Sequence, residues 1–381
     1  MIGDPFFTRL LDALTAPGAG YARSSTAPVE PGLDFGVGEA RYPMPGAVRE
    51  ALAARLAGMD RLWYSDPRGE ADLRATYLDH LHPDTAADPA TVLVTAGGKE
   101  AALLAVRFAL HQQGGGPVLV PVPGWEPYQL WVEAAGAGVL GYDPSALAAD
   151  PGRLRALIAE SAPRPRVVVL NYPHNPTGTE LTQAAMDEII AIAADFGVSV
   201  VSDEVYRVFG QTPVSAARAP AFDPRHHFVV DSVSKSLASA GLRVGFVHAD
   251  QRVIDALTAF RGAYASCTSV VTQQLAVTLL ADPGASTWLT TVRRTVAVDR
   301  AAAAAALTEA GIDVVSHGGL YLWCKTPDPA ALPSPGPAPV GARVTAGAGF
   351  GAPDHFRVCT ARADLDPVAA AAAVVQTVRA W

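Results

Sequence analysis

Residues 232–246 read SVSKSLASAGLRVGF and join two apolar runs, HFVVDS at 227–232 and RVGFVHA at 243–249. Both runs are rich in β-branched and aromatic residues, which favours strands. Between them lies Lys235, one of only three lysines in a chain with 29 Lys plus Arg residues. A lone lysine is ordinarily a surface residue. Its place at a predicted strand end, in a chain that otherwise uses arginine, suggests instead that its amine is used chemically.

Further apolar runs alternate with Ala/Leu-rich stretches through the middle of the chain. Seven strands are predicted, at 91–95, 117–122, 137–142, 166–171, 198–203, 227–232 and 243–249. Helices are predicted between several of them, at 99–113, 152–162 and 183–196. Runs without strict alternation indicate strands covered on both faces. The order of strands and helices therefore predicts an α/β fold with a largely parallel sheet.

The length of 381 residues suits two domains rather than one core. We expect a large α/β domain over 46–285. A long Ala-rich helix (286–311), the strand HFRVCTA and a final helix should form a smaller domain together with residues 1–45. The segment between Cys324 and Ala346 looks short and Pro-rich for such a domain.

Composition excludes several classes of protein. The net charge is −8 and no Lys/Arg cluster occurs, which argues against nucleic-acid binding. No uncharged apolar run approaches 18 residues, so neither a membrane span nor a signal peptide is expected. Three scattered cysteines, Cys267, Cys324 and Cys359, form no CxxC pair. They indicate a reducing cytoplasm, and no metal site is predicted.

The segment LNYPHNPTGTELT (170–182) contains Asn171 and Asn175, the only asparagines of the chain. One interpretation is an ordinary Asn/Pro/Gly turn after a strand. The other is a side-chain amide held at the carboxyl end of a strand, where ligands bind in open α/β sheets.

Asp203 ends the apolar run in VSVVSDEVYRVF (198–209), and Tyr206 follows three residues later. The carboxylate could cap the next helix. Alternatively it points into a crevice, where it could hold a cationic ring nitrogen while the phenol of Tyr206 donates a hydrogen bond.

The segment TVLVTAGGKEAALLAVRFAL (91–110) predicts a strand, a tight turn at Gly97 and Gly98, and a helix that begins near Lys99. Backbone N–H groups at a helix N-terminus bind anions, although many such turns are only connections. After the strand HFVVDS, the hydroxyls of Ser232 and Ser234 and the fork of Arg243 could also bind a phosphate. A lysine amine, unlike a guanidinium, can form a Schiff base.

Together these segments resemble the class I/II aminotransferases, the fold-type-I enzymes that use pyridoxal 5′-phosphate (PLP). The matching motifs are NPTG (175–178), DEVY (203–206), SxSK (232–235) and GLRVG (241–245). The resemblance implies a large domain with a mostly parallel seven-stranded sheet sandwiched by helices, and a smaller α+β domain built from both termini. It also implies a homodimer with shared active sites, and an amino acid and an oxo acid as substrates.

The resemblance assigns roles to individual residues. Lys235 would form the aldimine with PLP and move the proton, and Asp203 would hold the pyridine nitrogen. Asn175 and Tyr206 would bind the 3-oxygen, and Trp125 would stack on the ring unless it is only a core residue. The phosphate would be held by Gly97, Gly98, Lys99, Ser232, Ser234 and Arg243, with Tyr64 of the neighbouring subunit.

For the substrate, the resemblance implies that Arg357, in HFRVCTA, binds the α-carboxylate with help from Gly38 and Asn175. The chain reads GEARYPMP (38–45) where many relatives read GEPDFPTP. Arg41 therefore stands where an acidic residue is usual. It would face the distal end of the substrate, unless it is simply an exposed loop residue.

Two other functions remain open. PLP-dependent eliminases and cyclases, similar to aminocyclopropane-carboxylate synthase or capreomycidine synthase, carry the same motifs and react at Cβ or Cγ. A sensor domain fused to a DNA-binding module is disfavoured, because the lysine is present and no helix-turn-helix fits before residue 33. Transamination is the leading interpretation, while the substrate stays open.

Overall fold

The computed structural model describes residues 8–12, 34–81, 87–326, 342–364 and 366–379. All seven predicted strands are present in one sheet. Their bounds are β1 Val92–Thr95, β2 Val118–Pro121, β3 Val139–Tyr142, β4 Val167–Asn171, β5 Ser199–Asp203, β6 His227–Ser232 and β7 Gly245–His248. The predicted α/β class is therefore confirmed.

The sheet has the order β1-β7-β6-β5-β4-β2-β3. Strands β2 to β6 are parallel to their neighbours within this set. Strand β7 runs antiparallel to both β6 and β1. The connection from β6 to β7 holds only a short helix, Val233–Ser236, and a turn at Ala240–Leu242. The segment that carries Lys235 thus lies at the carboxyl end of β6, where the chain reverses its direction.

Both faces of the large sheet are covered, which explains the continuous apolar runs. Val167 and Val169 of β4 pack into the core that lies under helix Gly98–Gln112. Val168, between them, packs on the opposite face, under helix Gln183–Phe196. The other helices that belong to this part are Gly46–Ala57, Ala71–Leu81, Pro127–Ala134, Pro144–Ala149, Arg153–Glu160, Gln251–Ala265 and Val270–Ala281.

A second, antiparallel sheet consists of β8 Val314–Gly318, β9 Tyr321–Lys325, β10 Thr345–Ala346 and β11 His355–Cys359. Its strand order is β10-β11-β9-β8. Helices Pro283–Glu309 and Pro367–Arg379 pack on it, and Phe35 from the N-terminal part joins their core. Leu10, by contrast, contacts the core of the large sheet. The boundaries at 45/46 and 285/286 stay predictions, and the Pro-rich stretch at 327–341 lies outside the described residues.

The second sheet contacts the loop that follows β4. Ser316 Oγ of β8 donates to the carbonyl of Thr177 at 2.7 Å. A Cβ placed on Gly318 would lie 2.0 Å from the carbonyl oxygen of Gly178, so both residues must be very small here. This contact brings β9 and β11 over the carboxyl ends of the parallel strands.

Within the described ranges, no helix is long and apolar enough to cross a membrane.

Candidate active site

A cavity of about 320 Å³ lies at the carboxyl ends of β4, β5 and β6, where the second sheet meets the first. Most of the predicted site residues line it. The lining residues are Gly38, Gly98, Lys99, Trp125, Tyr128, Asn171, Asn175, Asp203, Val205, Tyr206, Ser232, Ser234, Lys235, Ala240, Arg243, Tyr321 and Arg357.

Asp203 ends β5 with its carboxylate buried in the cavity wall. Tyr128 Oη donates to Oδ2 at 2.5 Å, and the backbone N–H of Val205 donates to Oδ1 at 3.3 Å. Burial raises the pKa of Asp203 to about 6, although both hydrogen bonds favour the ionised form. A buried carboxylate of this kind gains most from a cationic partner, such as a protonated ring nitrogen.

The two asparagines form both the turn and the cavity wall. Asn171 Oδ1 accepts from the backbone N–H of Asn175 at 3.0 Å, and Asn171 Nδ2 donates to the carbonyl of Asp203 at 3.0 Å. Asn171 thus fixes the β4 loop against the end of β5 and leaves the side chain of Asn175 directed to the cavity. In the sequence, Asn171 was indicated only by the rarity of asparagine and by its position at the end of a predicted strand.

The start of helix Gly98–Gln112 forms a cradle for an anion with Arg243. Gly97 has φ of +92°, and a Cβ on it would lie 2.4 Å from a guanidinium nitrogen of Arg243. Arg243 Nη1 donates to Ser234 Oγ at 3.3 Å. Helix N-terminal N–H groups beside a guanidinium fork suit a phosphate. Gly97 does not itself line the cavity, but its lack of a side chain lets the guanidinium of Arg243 lie close to the start of the helix.

Ser232 has a further role that the sequence did not indicate. Its Oγ donates to the carbonyl of Val244 at 3.0 Å and accepts from the backbone N–H of Ser234 at 3.1 Å. The hydroxyl therefore caps the short helix that carries Lys235, and it also lines the cavity.

Lys235 lies half-buried, and its Nζ donates to the carbonyl oxygen of Gly38. Burial lowers the pKa of the amine to about 8; the nearby Cys359 and Glu39 oppose this shift, while Arg357 adds to it. Roughly a tenth of the amine is therefore neutral, and nucleophilic, at pH 7, far more than for an ordinary lysine.

Trp125 forms one wall of the cavity. Its ring packs edge-on against Tyr128 at 5.1 Å and Trp131 at 5.4 Å between centroids. Lys99 Nζ lies 5.4 Å from the centroid of the same ring. The packing holds the indole rigidly, which suits the predicted stacking on a planar ligand.

Arg357 reaches the cavity from β11. Its Nη1 donates to Asn175 Oδ1 at 2.5 Å, and its Nη2 donates to the carbonyl of Gly36 at 2.5 Å. The guanidinium carbon lies 4.5 Å from the ring centroid of Tyr321 and 5.0 Å from that of Phe350. A guanidinium fork held against two aromatic rings is well placed to bind a planar carboxylate.

Two lining tyrosines were not predicted. Tyr128 donates to Asp203, and Tyr321 Oη donates to Tyr206 Oη at 2.6 Å. Neither belongs to a motif that indicates a site, and only the aromatic residue type is visible in the sequence.

Two predicted residues lie elsewhere. The side chain of Tyr64 is 90% exposed and contributes nothing to the cavity of its own chain. Arg41 Nε donates to Glu39 at 3.1 Å, and Arg41 does not line the cavity.

The charges of the cavity fit PLP together with a carboxylate substrate. Among the described residues, the cavity is lined by four cationic side chains, Lys99, Lys235, Arg243 and Arg357, and by one carboxylate, Asp203. The cradle matches the phosphate of PLP, and the rigid indole matches its ring. The buried carboxylate matches the ring nitrogen, and the lysine amine matches the aldehyde. The fold and the site together define an enzyme of the PLP-dependent transferase type.

Comparison with protein families agrees. The model of the family "Aminotransferase class I and II" matches residues 30–375. The chain therefore belongs to this family of aminotransferases, which is PLP-dependent. The predicted family and the predicted enzyme class are confirmed.

Named relatives support the same family. An aspartate aminotransferase of Pyrococcus horikoshii is 29% identical over 59% of this chain and 58% of its own length. An aspartate/prephenate aminotransferase of Thermus thermophilus is 27% identical over 65% of this chain and 64% of its own. The chain thus spans less than two thirds of these two relatives. A Mycobacterium tuberculosis protein named a probable aminotransferase is 32% identical over 89% of this chain and 79% of its own length.

Solved structures confirm the fold. The aspartate aminotransferase of Thermus thermophilus with maleate has a TM-score of 0.80 at 23% identity, covering 99% of this chain and 97% of its own. A Pyrococcus protein reaches a TM-score of 0.82 at 22% identity, covering 98% and 99%. The fold-type-I architecture predicted from the sequence is therefore correct.

Proposed function

We propose that the protein is a PLP-dependent aminotransferase that acts on an α-amino acid and a 2-oxo acid, with Lys235 as the residue that attaches PLP and carries the proton. The observation that carries this proposal is the placement of Lys235. Its amine lies in one cavity with the buried carboxylate of Asp203 and the guanidinium of Arg357.

The residues of the cavity would share the work of holding PLP. The cradle of Gly98, Lys99, Ser234 and Arg243 binds the phosphate, and Trp125 covers the ring. Asp203 keeps the ring nitrogen protonated, and Tyr206 and Asn175 donate to the 3-oxygen. When bound, PLP supplies an electron sink for the electron pair that deprotonation leaves at the substrate Cα.

The same residues orient the substrate and move its proton. Arg357 fixes the α-carboxylate, with help from the backbone of Gly38. The amine of Lys235, with its pKa lowered to about 8 by burial, can accept the proton from Cα of the substrate and deliver it to C4′ of the cofactor. The relatives named above include aspartate and aspartate/prephenate enzymes.

The reaction is tested with a panel of single amino acids and the PLP-loaded protein. Transamination predicts conversion to the pyridoxamine form of the cofactor with one equivalent of the 2-oxo acid. Release of ammonia, or a cyclised product with the PLP form regained, would show the eliminase or cyclase chemistry instead. Including acidic, basic and apolar side chains also tests Arg41, since Arg41→Ala should weaken anionic substrates selectively if that residue faces the distal group.

Arg357→Lys should raise KM for the amino acid roughly 10- to 100-fold, because a lysine supplies a point charge without the two-pronged fork. Steady-state kinetics of the PLP-loaded variant measures this. Arg362→Lys is the matched control, since Arg362 is also buried in the small sheet region but pairs with Asp364 at 2.6 Å, outside the cavity. Similar KM changes in both variants would contradict the role of Arg357.

We infer further that two copies of the chain share their sites. Three consecutive side chains, Leu62, Trp63 and Tyr64, are 70%, 73% and 90% exposed, an unusual apolar patch for a surface. Such a patch favours burial against a second copy, which would carry Tyr64 to the neighbouring phosphate cradle.

Mixing a Tyr64→Phe protomer with a Lys235→Ala protomer should restore part of the activity. With shared sites, the hybrid dimer holds one site with both changes and one with neither. Subunit exchange is verified separately by native mass spectrometry, which resolves the hybrid dimer from the two parent dimers by its mass. Exchange without recovery of activity would refute shared sites.

A further inference from the structure

Tyr321, the first residue of β9, contacts three parts of the site at once. It is only 1% exposed, and its ring lies edge-on to the ring of Tyr206 at 5.3 Å. Its ring face carries the guanidinium of Arg357 at 4.5 Å. A Cβ on Gly38 would lie 2.2 Å from Tyr321 Oη, so the hydroxyl fills the space that glycine leaves. One side chain therefore joins the predicted carboxylate site to the predicted 3-oxygen site.

The hydrogen bond between the two tyrosines has a direction. Tyr321 Oη donates its proton to Tyr206 Oη at 2.6 Å. Because a phenol has a single proton, Tyr206 must direct its own proton to another acceptor. Tyr206 lines the cavity, so a bound ligand can accept that proton.

We propose, on the basis of the function proposed above, that Tyr321 is a positioning residue with two separable roles: its hydroxyl directs the Tyr206 proton to the 3-oxygen of PLP, and its ring holds Arg357 for the substrate carboxylate. Burial raises the pKa of Tyr206 to about 12, and the hydrogen bond from Tyr321 opposes that rise. Without the hydroxyl, Tyr206 becomes a weaker and less oriented donor.

The hydroxyl is tested by Tyr321→Phe through the absorbance of bound PLP as a function of pH. A weaker donor leaves more negative charge on the 3-oxygen, which then holds the proton shared with the Lys235 nitrogen more tightly. The titration midpoint should rise by about 0.5 to 1 pH unit. Tyr142→Phe is the matched control, because this buried tyrosine donates to the carbonyl of Val169 at 2.8 Å outside the cavity.

The ring is tested by comparing Tyr321→Phe with Tyr321→Leu. The phenylalanine keeps the aromatic face under Arg357, so the Kd of an unreactive monocarboxylate should stay near that of wild type. The leucine removes it and should raise that Kd roughly 5- to 30-fold. If Tyr321 only supported the fold, Tyr321→Phe would not shift the titration midpoint while leaving the Kd of the carboxylate unchanged.

Action through Tyr206 is tested in a double-mutant cycle. Tyr321→Phe should cause no further midpoint shift in a Tyr206→Phe background. An unchanged midpoint in Tyr321→Phe, or an equal shift in both backgrounds, would overturn the inference. A wild-type protein that takes up no PLP would overturn the proposed function itself, whereas a titrating wild type with an unaffected Tyr321→Phe variant would overturn only the role of Tyr321.

Discussion

Replacing Lys235 with alanine should lower amino acid turnover by roughly 10²- to 10⁴-fold through the lost proton transfer alone. The attachment of PLP is lost in addition, so the full effect should exceed this range. The expectation follows from the site: the Lys235 amine lies in the cavity with Asp203 and Arg357.

The site of attachment is measured by borohydride reduction of the PLP-loaded protein and peptide mass mapping. The pyridoxyl group should be found on Lys235. The chain offers a simple control, since it has only two other lysines. Lys325→Ala, at an exposed position at the end of β9, should keep labelling and turnover. Label on Lys99 or Lys325 in the wild type would refute the assignment.

The pH dependence of PLP uptake provides an independent test of the same residue. Burial lowers the pKa of Lys235 to about 8, and only the neutral amine attacks an aldehyde. The uptake rate of the PLP-free protein should therefore rise with pH up to about 8 and level off above it. An ordinary lysine, with a pKa near 10.4, would give a rate that still rises beyond pH 9. Stopped-flow absorbance follows the reaction directly.

The sequence predicted those site residues that sit at the ends of apolar strands. Asn175, Asp203 and Ser232 each follow or end a strand, and parallel strands deliver their carboxyl ends to one edge. Local patterns suffice for such residues, because the strand can be recognised in the sequence. The parallel topology then places the carboxyl ends of these strands at the same edge of the sheet.

Residues that join the site through tertiary packing were not predictable in this way. Tyr128 and Asp203 are separated by 75 positions, and Tyr321 and Tyr206 by 115. Their pairing depends on how the helices and the second sheet pack on the first. The direction of β7 could not be predicted for a similar reason, since the apolar pattern of a covered strand is the same in both directions. Its antiparallel course agrees with the predicted sheet, which was mostly and not wholly parallel.

Asp203→Ala should retain some PLP but lose most activity. Removing one partner of a buried charge pair costs about 2–5 kcal/mol, which corresponds to roughly 30- to several-thousand-fold in rate if the loss falls on the transition state. Asp203→Asn should behave similarly, because it keeps an acceptor for Tyr128 but not the charge that holds the ring nitrogen protonated.

The control is Asp231→Asn, at a carboxylate equally buried in the neighbouring strand β6 that does not line the cavity. Burial raises the pKa of Asp231 to about 7 and that of Asp203 to about 6. Asp231 already has a cationic partner within the protein, since it lies 4.0 Å from Arg207, whereas Asp203 faces the cavity, where the ring nitrogen would bind. We therefore expect kcat/KM to fall much more in Asp203→Asn than in Asp231→Asn, with both proteins folded by circular dichroism. Activity of Asp203→Asn within about threefold of wild type, less than 1 kcal/mol, would refute the ion pair with PLP.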